Sequence, residues 1–211
     1  MKKTVLIWML GLLATVQVAA QREGTWWTVM PKVGLNLANM SMSDVYINTS
    51  DDKMSGSTKP GLAMGIEAEY HNGWVGLSAG LLYSQQGTRY DDAPQTWKDQ
   101  KLSLQYLNIP VLFHGYSTPQ LGLEVGLQPG FMIGKKLSGE AYGIDGAYHS
   151  FSETDLYYRS FDIGIPVGVT YDLGPVRLGF RYTFGLYDTT KVKMKERNKV
   201  AQLTIGYRFD L

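Results

Sequence analysis

Residues 161–186 read FDIGIPVGVTYDLGPVRLGFRYTFGL, and this stretch decides the fold. Large apolar side chains occupy every second position on both sides of a short turn at 173–175. They are Phe161, Ile163, Ile165, Val167, Val169 and Tyr171, followed by Val176, Leu178, Phe180, Tyr182, Phe184 and Leu186. Because side chains on a strand point alternately to its two faces, this pattern predicts a β-hairpin with one wholly apolar face. The opposite face carries glycine and charged residues.

The same alternation recurs along the chain and predicts eight strands. They lie roughly at 29–39, 61–70, 74–83, 101–115, 121–133, 161–172, 176–187 and 201–210. Short connections at 72–73, 116–119 and 173–175 alternate with longer polar segments at 40–58, 87–99, 135–159 and 189–197. Short turns at one end and long loops at the other are typical of bacterial outer-membrane barrels. The predicted fold is all-β, an eight-stranded antiparallel up-and-down transmembrane β-barrel.

The N-terminus reads as a secretory signal peptide over residues 1–20, which leaves one barrel domain at 21–211. Lys2 and Lys3 precede an apolar stretch, and Val18-Ala19-Ala20 resembles a cleavage site. No apolar run after residue 20 is long enough for a membrane-spanning helix. The chain has no cysteine and a net charge of +1, so disulfides, thiolate metal sites and nucleic-acid partners are not expected. We predict no cofactor and no metal.

The composition of the second face indicates which face meets lipid. A secreted soluble barrel that binds a small ligand is the alternative, and its outer face would be rich in Lys, Glu and Thr. In this sequence the non-apolar face of the strands is dominated by glycine, which suits a narrow interior better than a solvated exterior. Charge is absent from the apolar face of the clear strands, and aromatic residues gather near the strand ends. The apolar face is therefore predicted to face lipid.

Charged side chains on the inward face are predicted to form a structural network that fills the lumen. The set is Glu67, Glu69, Glu124, Asp162, Arg177, Arg181 and Arg208, with Lys32 joining it. Buried charges are costly unless they are paired, so we expect ion pairs and no continuous pore. A narrow, porin-like channel is the alternative. Four prolines fall inside predicted strands (Pro31, Pro110, Pro129 and Pro166), and bulges or strand ends are expected to accommodate them.

Catalysis is not predicted, although a lipid-modifying enzyme is a further alternative. The one acyl-transfer-like grouping is His149-Ser150 near Glu153 and Asp155, in a loop that does not by itself supply the required geometry. Contacts with lipopolysaccharide or anionic lipid are the alternative for two other charged surface features, whose default interpretation is solvated loop charge. They are the carboxylate pairs Asp51-Asp52 and Asp91-Asp92, and the basic segment from Lys191 to Lys199.

Several segments together resemble the PorT-like outer-membrane β-barrel family of Bacteroidota, which are Gram-negative bacteria. They are Pro31-Lys32-Val33-Gly34-Leu35-Asn36, Gly80-Leu81-Leu82-Tyr83-Ser84-Gln85-Gln86-Gly87, Tyr106-Leu107-Asn108-Ile109-Pro110, Gly179-Phe180-Arg181-Tyr182-Thr183-Phe184-Gly185-Leu186 and Gly206-Tyr207-Arg208-Phe209. The resemblance implies an eight-stranded barrel, and it supplies no catalytic motif. The family's namesake takes part in protein secretion. The aromatic-ended last strand looks like the signal read by the barrel-assembly machinery, although Asp210-Leu211 follow Phe209.

The expected product is an integral protein of the cell outer membrane with a structural, interaction or secretion-accessory role. Its expected partners are outer-membrane lipid or lipopolysaccharide, the barrel-assembly machinery during insertion, and secretion or envelope proteins. Both termini are expected in the periplasm, with the long loops facing outward.

Overall fold

The computed structural model describes residues 24–43, 56–90, 97–154, 160–188 and 195–211. These residues form strands almost throughout, and none of the described residues lies in a helix that could cross a membrane. The strands are β1 (Thr25–Ser43), β2 (Gly56–Asn72), β3 (Val75–Tyr90), β4 (Trp97–Asn108), β5 (Val111–Tyr116), β6 (Leu121–Tyr142), β7 (Tyr148–Glu153), β8 (Phe161–Leu173), β9 (Val176–Asp188), β10 (Lys195–Tyr207) and β11 (Phe209–Asp210).

The strands close into an antiparallel barrel of eight staves. A stave here is one position in the ring, and it holds either one strand or two strands that follow one another. β1 pairs with β2 on one side and with β10 on the other, which joins the two ends of the sheet. β4 and β5 follow one another along a single stave between β3 and β6, and β11 continues β10 against β1. β7 pairs with β6 alone and lies outside the ring. The predicted fold class is confirmed.

The prolines are accommodated without breaking the register of the staves. Pro110 separates β4 from β5, yet its carbonyl accepts a hydrogen bond from Gly80 N at 3.1 Å. On the other side Ile109 N donates to the carbonyl of Pro129 at 2.8 Å. The pairing with β3 runs from Leu82↔Asn108 to Ala79↔Val111 without a shift. Pro110 thus lies at a strand end, one of the two expected ways to accommodate it, and its carbonyl still bridges the strands because proline lacks only the donor.

Outward and inward faces follow the predicted alternation. Leu35 is 60% exposed and Leu77 57% exposed, whereas the inward Glu67 and Glu69 are 2% and 1% exposed. Several inward glycines let neighbouring strands approach closely; a Cβ added at Gly126 would lie 2.0 Å from the carbonyl oxygen of Val111. An apolar exterior around a polar interior is the arrangement of a membrane barrel, since a soluble barrel has the reverse.

Aromatic rings band the outer face at both ends of the apolar region. At the end with short turns Trp27 lies beside Tyr70 and Tyr207 lies beside Phe209, with ring centroids 5.2 and 4.9 Å apart. At the other end Phe131 lies 5.3 Å from Phe161. Such rings mark the two membrane–water interfaces of outer-membrane barrels.

The long segments predicted as polar loops contain more strand than expected, which corrects those boundaries. β1 continues to Ser43, β3 to Tyr90 and β10 begins at Lys195, all within predicted loops. The segment 135–159 holds the end of β6 and all of β7, which pair as a hairpin from Leu137↔Glu153 to Tyr142↔Tyr148. Outside the bilayer, the backbone N–H and C=O groups still need hydrogen-bond partners. Extending the strands beyond the membrane supplies those partners.

Candidate functional site in the barrel lumen

Arg181 is the centre of the first charge cluster inside the barrel. Its guanidinium binds Glu124 through two hydrogen bonds of 2.6 and 3.0 Å, and its Nη2 lies 3.5 Å from Glu67 Oε2. Lys32 Nζ donates to the same Glu67 oxygen. These four side chains come from β1, β2, β6 and β9, so the cluster crosses the lumen and ties opposite walls together.

Arg177 organises a second cluster nearer the short-turn end. It donates two hydrogen bonds to Asp172, at 2.6 and 2.9 Å, and another to Glu69. The hydroxyl of Tyr116 donates to Glu69 and accepts from Arg177 at 3.0 Å. Asp172 also accepts a hydrogen bond from Arg208. The Arg208 guanidinium donates a further hydrogen bond to Asp210, at 3.1 Å. The cluster therefore reaches from the buried centre to the exposed end of the barrel.

Two buried histidines join the clusters to neighbouring hydroxyls. Ser78 Oγ lies 2.8 Å from His114 Nε2, and Thr28 Oγ1 lies 3.0 Å from His71 Nε2. Thr28 donates its one hydroxyl proton to Asp210 at 2.6 Å, so His71 Nε2 must be the donor to Thr28. The His71 ring also stacks on Trp26, with centroids 4.5 Å apart and planes 7° apart, which covers this end of the network.

The half of the lumen nearer the long loops is filled by amides and apolar side chains. Asn36 donates to Ser84 at 2.9 Å and accepts from Gln202 at 2.7 Å. β4 and β5 contribute inward apolar residues that the alternation rule does not anticipate. Leu102, Leu104, Tyr106 and Leu112 are each at most 1% exposed. Leu102, Leu104 and Tyr106 belong to this half of the lumen, whereas Leu112 pairs with Ser78 and lies at the level of Glu69.

Two small cavities lie within the described part of the lumen. The cavity lined by Lys32, Glu67, Glu124 and Arg181 has a volume of ≈ 10 Å³. A second cavity, lined by Gln86, Asn108, Gln128 and Asp162 among others, has ≈ 20 Å³. A cavity needs roughly 10–15 Å³ to hold one water, so each has room for about one molecule. Neither of these two cavities is large enough for a continuous column of water.

One group of residues could in principle hold a cation. Glu67, His114 and Glu124 each offer a ligand atom within 4.8 Å of the others, and Glu67 Oε1 and His114 Nδ1 have no hydrogen-bond partner. Both carboxylates are, however, already paired with Arg181, and Glu67 also with Lys32. A dication placed there would lie beside two positive side chains, which opposes its binding.

The structure brings six of the seven charged residues named from the sequence into the two clusters. Asp162 lies apart from them, in the half of the lumen with Asn108 and Gln128. The sequence did not assign Asp172, Tyr116, His71 or His114 to the network. Asp172 and His114 already fall on the inward side of the predicted alternation, and extending that alternation by one residue would have placed His71 and Tyr116 there as well.

The surface features noted in the sequence are only partly within the described residues. Asp51, Asp52, Asp91, Asp92 and Asp155 lie outside them, as does 191–194 of the basic segment. His149 Nε2 lies 2.8 Å from Asp145 Oδ2 in the β6–β7 hairpin. That hydrogen bond lowers the pKa of Asp145. Ser150 follows His149 on β7 and so points to the opposite face of the strand, away from the base it would need.

Comparison with known proteins identifies the family. Residues 19–191 match the model of the outer membrane protein beta-barrel domain. No curated protein sequence matches the chain.

Solved structures similar to this chain include three outer-membrane proteins. Ail of Yersinia pestis, in complex with the heparin analogue sucrose octasulfate, is 12% identical, with 87% of this chain and 99% of that chain covered and a TM-score of 0.48. Neisserial surface protein A is 16% identical, with 89% and 100% covered and a TM-score of 0.47. OprG from Pseudomonas aeruginosa is 11% identical, with 92% and 99% covered and a TM-score of 0.42.

The family match spans most of the chain, and the barrel has an apolar exterior and a polar, filled interior. The alternative of a secreted soluble barrel is thereby excluded. The chain belongs to the outer membrane protein beta-barrel domain family and is an integral protein of the outer membrane.

Proposed function

We propose that this protein is a filled, non-conducting and non-catalytic barrel that acts through contacts made by its outward-facing strand extensions. The observation that carries the proposal is the closed lumen. Arg181 and Arg177 hold carboxylates from opposite walls, and Leu102 and Leu104 of β4 fill the half of the lumen nearer the long loops. An ion crossing the barrel would have to break both charged clusters, whose members are almost fully buried.

Conductance in planar bilayers tests the closed lumen. The protein reconstituted in neutral lipid is expected to give no steady open current at moderate voltage. A large, stable current from the wild-type protein would refute the closed lumen and favour the porin-like alternative. Lys101→Gln serves as a matched control, because Lys101 carries a charge on the outer face and its removal should leave the conductance unchanged.

The β6–β7 hairpin is the interaction element that the geometry favours. It extends beyond the ring of staves, since β7 pairs with β6 alone. Near its tip Tyr142 packs edge-on against Tyr148 with centroids 5.1 Å apart, and Ile144 is fully exposed. Ile144 lies in the turn between β6 and β7, and an exposed apolar side chain at such a tip is available for contact with a partner. We assign this hairpin to contact with another envelope or surface protein, in a secretion-accessory or structural role.

Site-specific photocrosslinking in cells tests the hairpin. A photoreactive residue at Ile144 is expected to capture a defined protein adduct, whereas the same residue at exposed Gln120, beside the turn between β5 and β6, should not give that adduct. Replacing 142–148 by a two-residue Asn-Gly turn should remove the partner without unfolding the barrel. Absence of any adduct from Ile144 would overturn the assignment of the hairpin.

The PorT-like resemblance motivates the secretion-accessory form of this proposal, but it does not carry the namesake's role over to this chain. The segments that carry it lie mostly within the staves: Gly179–Leu186 falls in β9, and Tyr106–Asn108 ends β4. These segments specify the barrel rather than a partner. Deleting the gene and measuring the extracellular level of secreted proteins separates the secretion role from a purely structural one. Unchanged secretion with a weakened envelope would favour the structural role.

A further inference from the structure

The outer edge of β7 has no neighbouring strand among the described residues. β7 pairs with β6 on one side, and no described strand pairs with its other side. β8 covers the same side of β6 only as far as Phe131, whereas β7 covers it from Leu137 outward. At this level, beyond the end of β8, β7 is therefore the last described strand of the sheet.

The register shows which backbone groups of β7 point away from β6. Gly143 N donates to the carbonyl of Ala147 at 2.8 Å, which marks these two residues as a hydrogen-bonded pair of the ladder. Bonded and non-bonded pairs alternate in an antiparallel ladder, so the continuous register places Ser150 and Ser152 in non-bonded pairs. Their N–H and C=O groups point outward, and within the described part of the chain they make no backbone hydrogen bond on that side.

The edge lacks the features that usually prevent a strand edge from pairing. Protected edges carry lysine, proline or a bulge. β7 contains neither lysine nor proline, and its register with β6 runs without a shift. On its other side β6 pairs with β4 as far out as Trp97↔Ala141, so β7 belongs to an extended part of the barrel wall rather than to an isolated hairpin. Its backbone is thus already extended before a partner binds.

Carboxylates lie at both ends of this edge. Asp145 precedes β7 and accepts a hydrogen bond from His149, while Glu153 is the last residue of β7. Glu153 makes no ion pair with any described residue. The hairpin at 137–153 contains neither Lys nor Arg. Between the two ends, Phe151 is half-buried and offers an apolar contact. A segment that pairs here is favoured by basic residues near its ends and apolar residues between them.

We propose that the outer edge of β7 binds an extended basic segment of another protein by strand addition, so that the segment becomes the next strand of the sheet. The inference rests on the proposed role of the hairpin in protein contacts, and it specifies the mode of contact and the class of partner. Outward backbone groups that recur about every 7 Å along the edge match those of another extended backbone. In strand addition the main-chain hydrogen bonds supply affinity and the alternate side chains supply specificity.

Amide hydrogen exchange, measured by NMR on the full barrel in lipid nanodiscs, tests strand addition with a defined probe. The probe is an eight-residue synthetic peptide in which valine alternates with lysine or threonine. At saturating peptide we expect exchange of the Ser150 and Ser152 amides to slow about tenfold or more, because each gains an acceptor. The amide of Gln120, at the other end of the barrel, should be unaffected. The same peptide N-methylated at alternate residues, which cannot donate to the edge, should give no slowing.

Variants of β7 separate the backbone contact from the side chains. Ser150→Pro removes one outward N–H and leaves the bonds to β6 in place, so it should weaken peptide binding about tenfold and reduce the Ile144 photoadduct in cells. Ser150→Ala keeps the backbone and should change neither. Ser152→Pro repeats the test at a second position, and Glu153→Lys should weaken binding about three- to fivefold at low salt. Unchanged β6 amide signals verify that the hairpin stays paired.

Four results would overturn the proposal. They are equal slowing by the methylated and unmethylated peptides, absence of slowing at Ser150 and Ser152, tighter binding of a peptide with glutamate in place of lysine, and an Ile144 adduct of twice the mass of the chain, which would identify a second copy as the occupant. An Ile144 adduct that survives both proline variants would overturn strand addition alone and leave the contact role of the hairpin standing. Absence of that adduct, with Ser150 and Ser152 still protected by the peptide, would refute the contact role and uphold the chemistry of the edge.

Discussion

Replacing Arg181 by methionine is the sharpest test of the lumen network. Methionine retains much of the volume but removes the charge, so Glu124 loses two hydrogen bonds and Glu67 loses one of its two cationic partners. The affected side chains are at most 5% exposed, which leaves little water to compensate. Breaking a buried ion pair from one side costs about 3–5 kcal/mol, so we expect Arg181→Met to lower the free energy of unfolding by about that amount.

A double-mutant cycle with Glu124→Leu measures the coupling directly. Glu124→Leu alone leaves Arg181 with only the 3.5 Å contact to Glu67 and should also be strongly destabilising. The double variant removes both charges, so its loss should be smaller than the sum of the single losses by about 2–3 kcal/mol. Reversible urea unfolding of the protein in lipid vesicles, followed by tryptophan fluorescence, supplies the free energies.

Lys101→Met is the matched control for this cycle. The Lys101–Asp99 pair is separated by 3.9 Å and both partners are exposed, so its loss should cost less than about 1 kcal/mol. Two outcomes are incompatible with a stabilising lumen network. One is a loss below about 1 kcal/mol for Arg181→Met, and the other is strict additivity of Arg181→Met with Glu124→Leu.

Further predictions concern the wall, the strand junction and the hairpin. Gly126→Ala should destabilise the barrel by about 1–3 kcal/mol because its Cβ would meet the neighbouring backbone, whereas Gly115→Ala meets nothing within 4 Å and should be neutral; unfolding in urea distinguishes them. Pro110→Ala should change stability by less than about 1 kcal/mol and give a protected amide at 110 by hydrogen exchange, because a residue's N–H and C=O point to the same neighbour in an antiparallel ladder. The Asp145–His149 contact should persist at neutral pH and be lost as pH falls through the lowered pKa of Asp145; NMR titration should show that pKa returning toward its usual value in His149→Gln.

The faces of the barrel were readable from the sequence because alternation is a local property. The apolar Val167 lies on the outer face and the neighbouring Gly168 lies on the inner face, as the alternation predicts. The rule failed at Leu102, Leu104 and Leu112, which are apolar and yet inward. In this stave both faces carry apolar residues, so period two alone cannot assign them. Only the pairing with Thr88 and Gln86 on β3 fixes Leu102 and Leu104 inside.

The partners in the charge network could not be read from the sequence. Arg177 binds Asp172 across the β8–β9 turn, which is local, but it also binds Glu69, which lies 108 residues earlier. That contact depends on closure of the ring, and closure depends on how far each strand is shifted against the next. The shift at 58–63 coincides with Pro60, whereas the shift at 105–106 is marked by no turn or proline. The sequence therefore identifies which charged residues face inward, but it does not identify which of them pair with one another.

The arrangement of the pairs implies that no single substitution opens this lumen. Removing Arg181 still leaves Lys32 on Glu67, and it leaves the Arg177–Asp172–Glu69 cluster one layer away intact. Removing Arg177 leaves Arg208 on Asp172 and Tyr116 on Glu69. Glu67, Glu69 and Asp172 thus each keep a second partner from another stave, and Leu102 and Leu104 of β4 fill the lumen beyond both layers. Single variants should lose stability before they gain conductance, and a conducting barrel would require the simultaneous loss of both arginines and of Leu104. A stable single variant with a steady open current would show instead that one layer alone closes the pore.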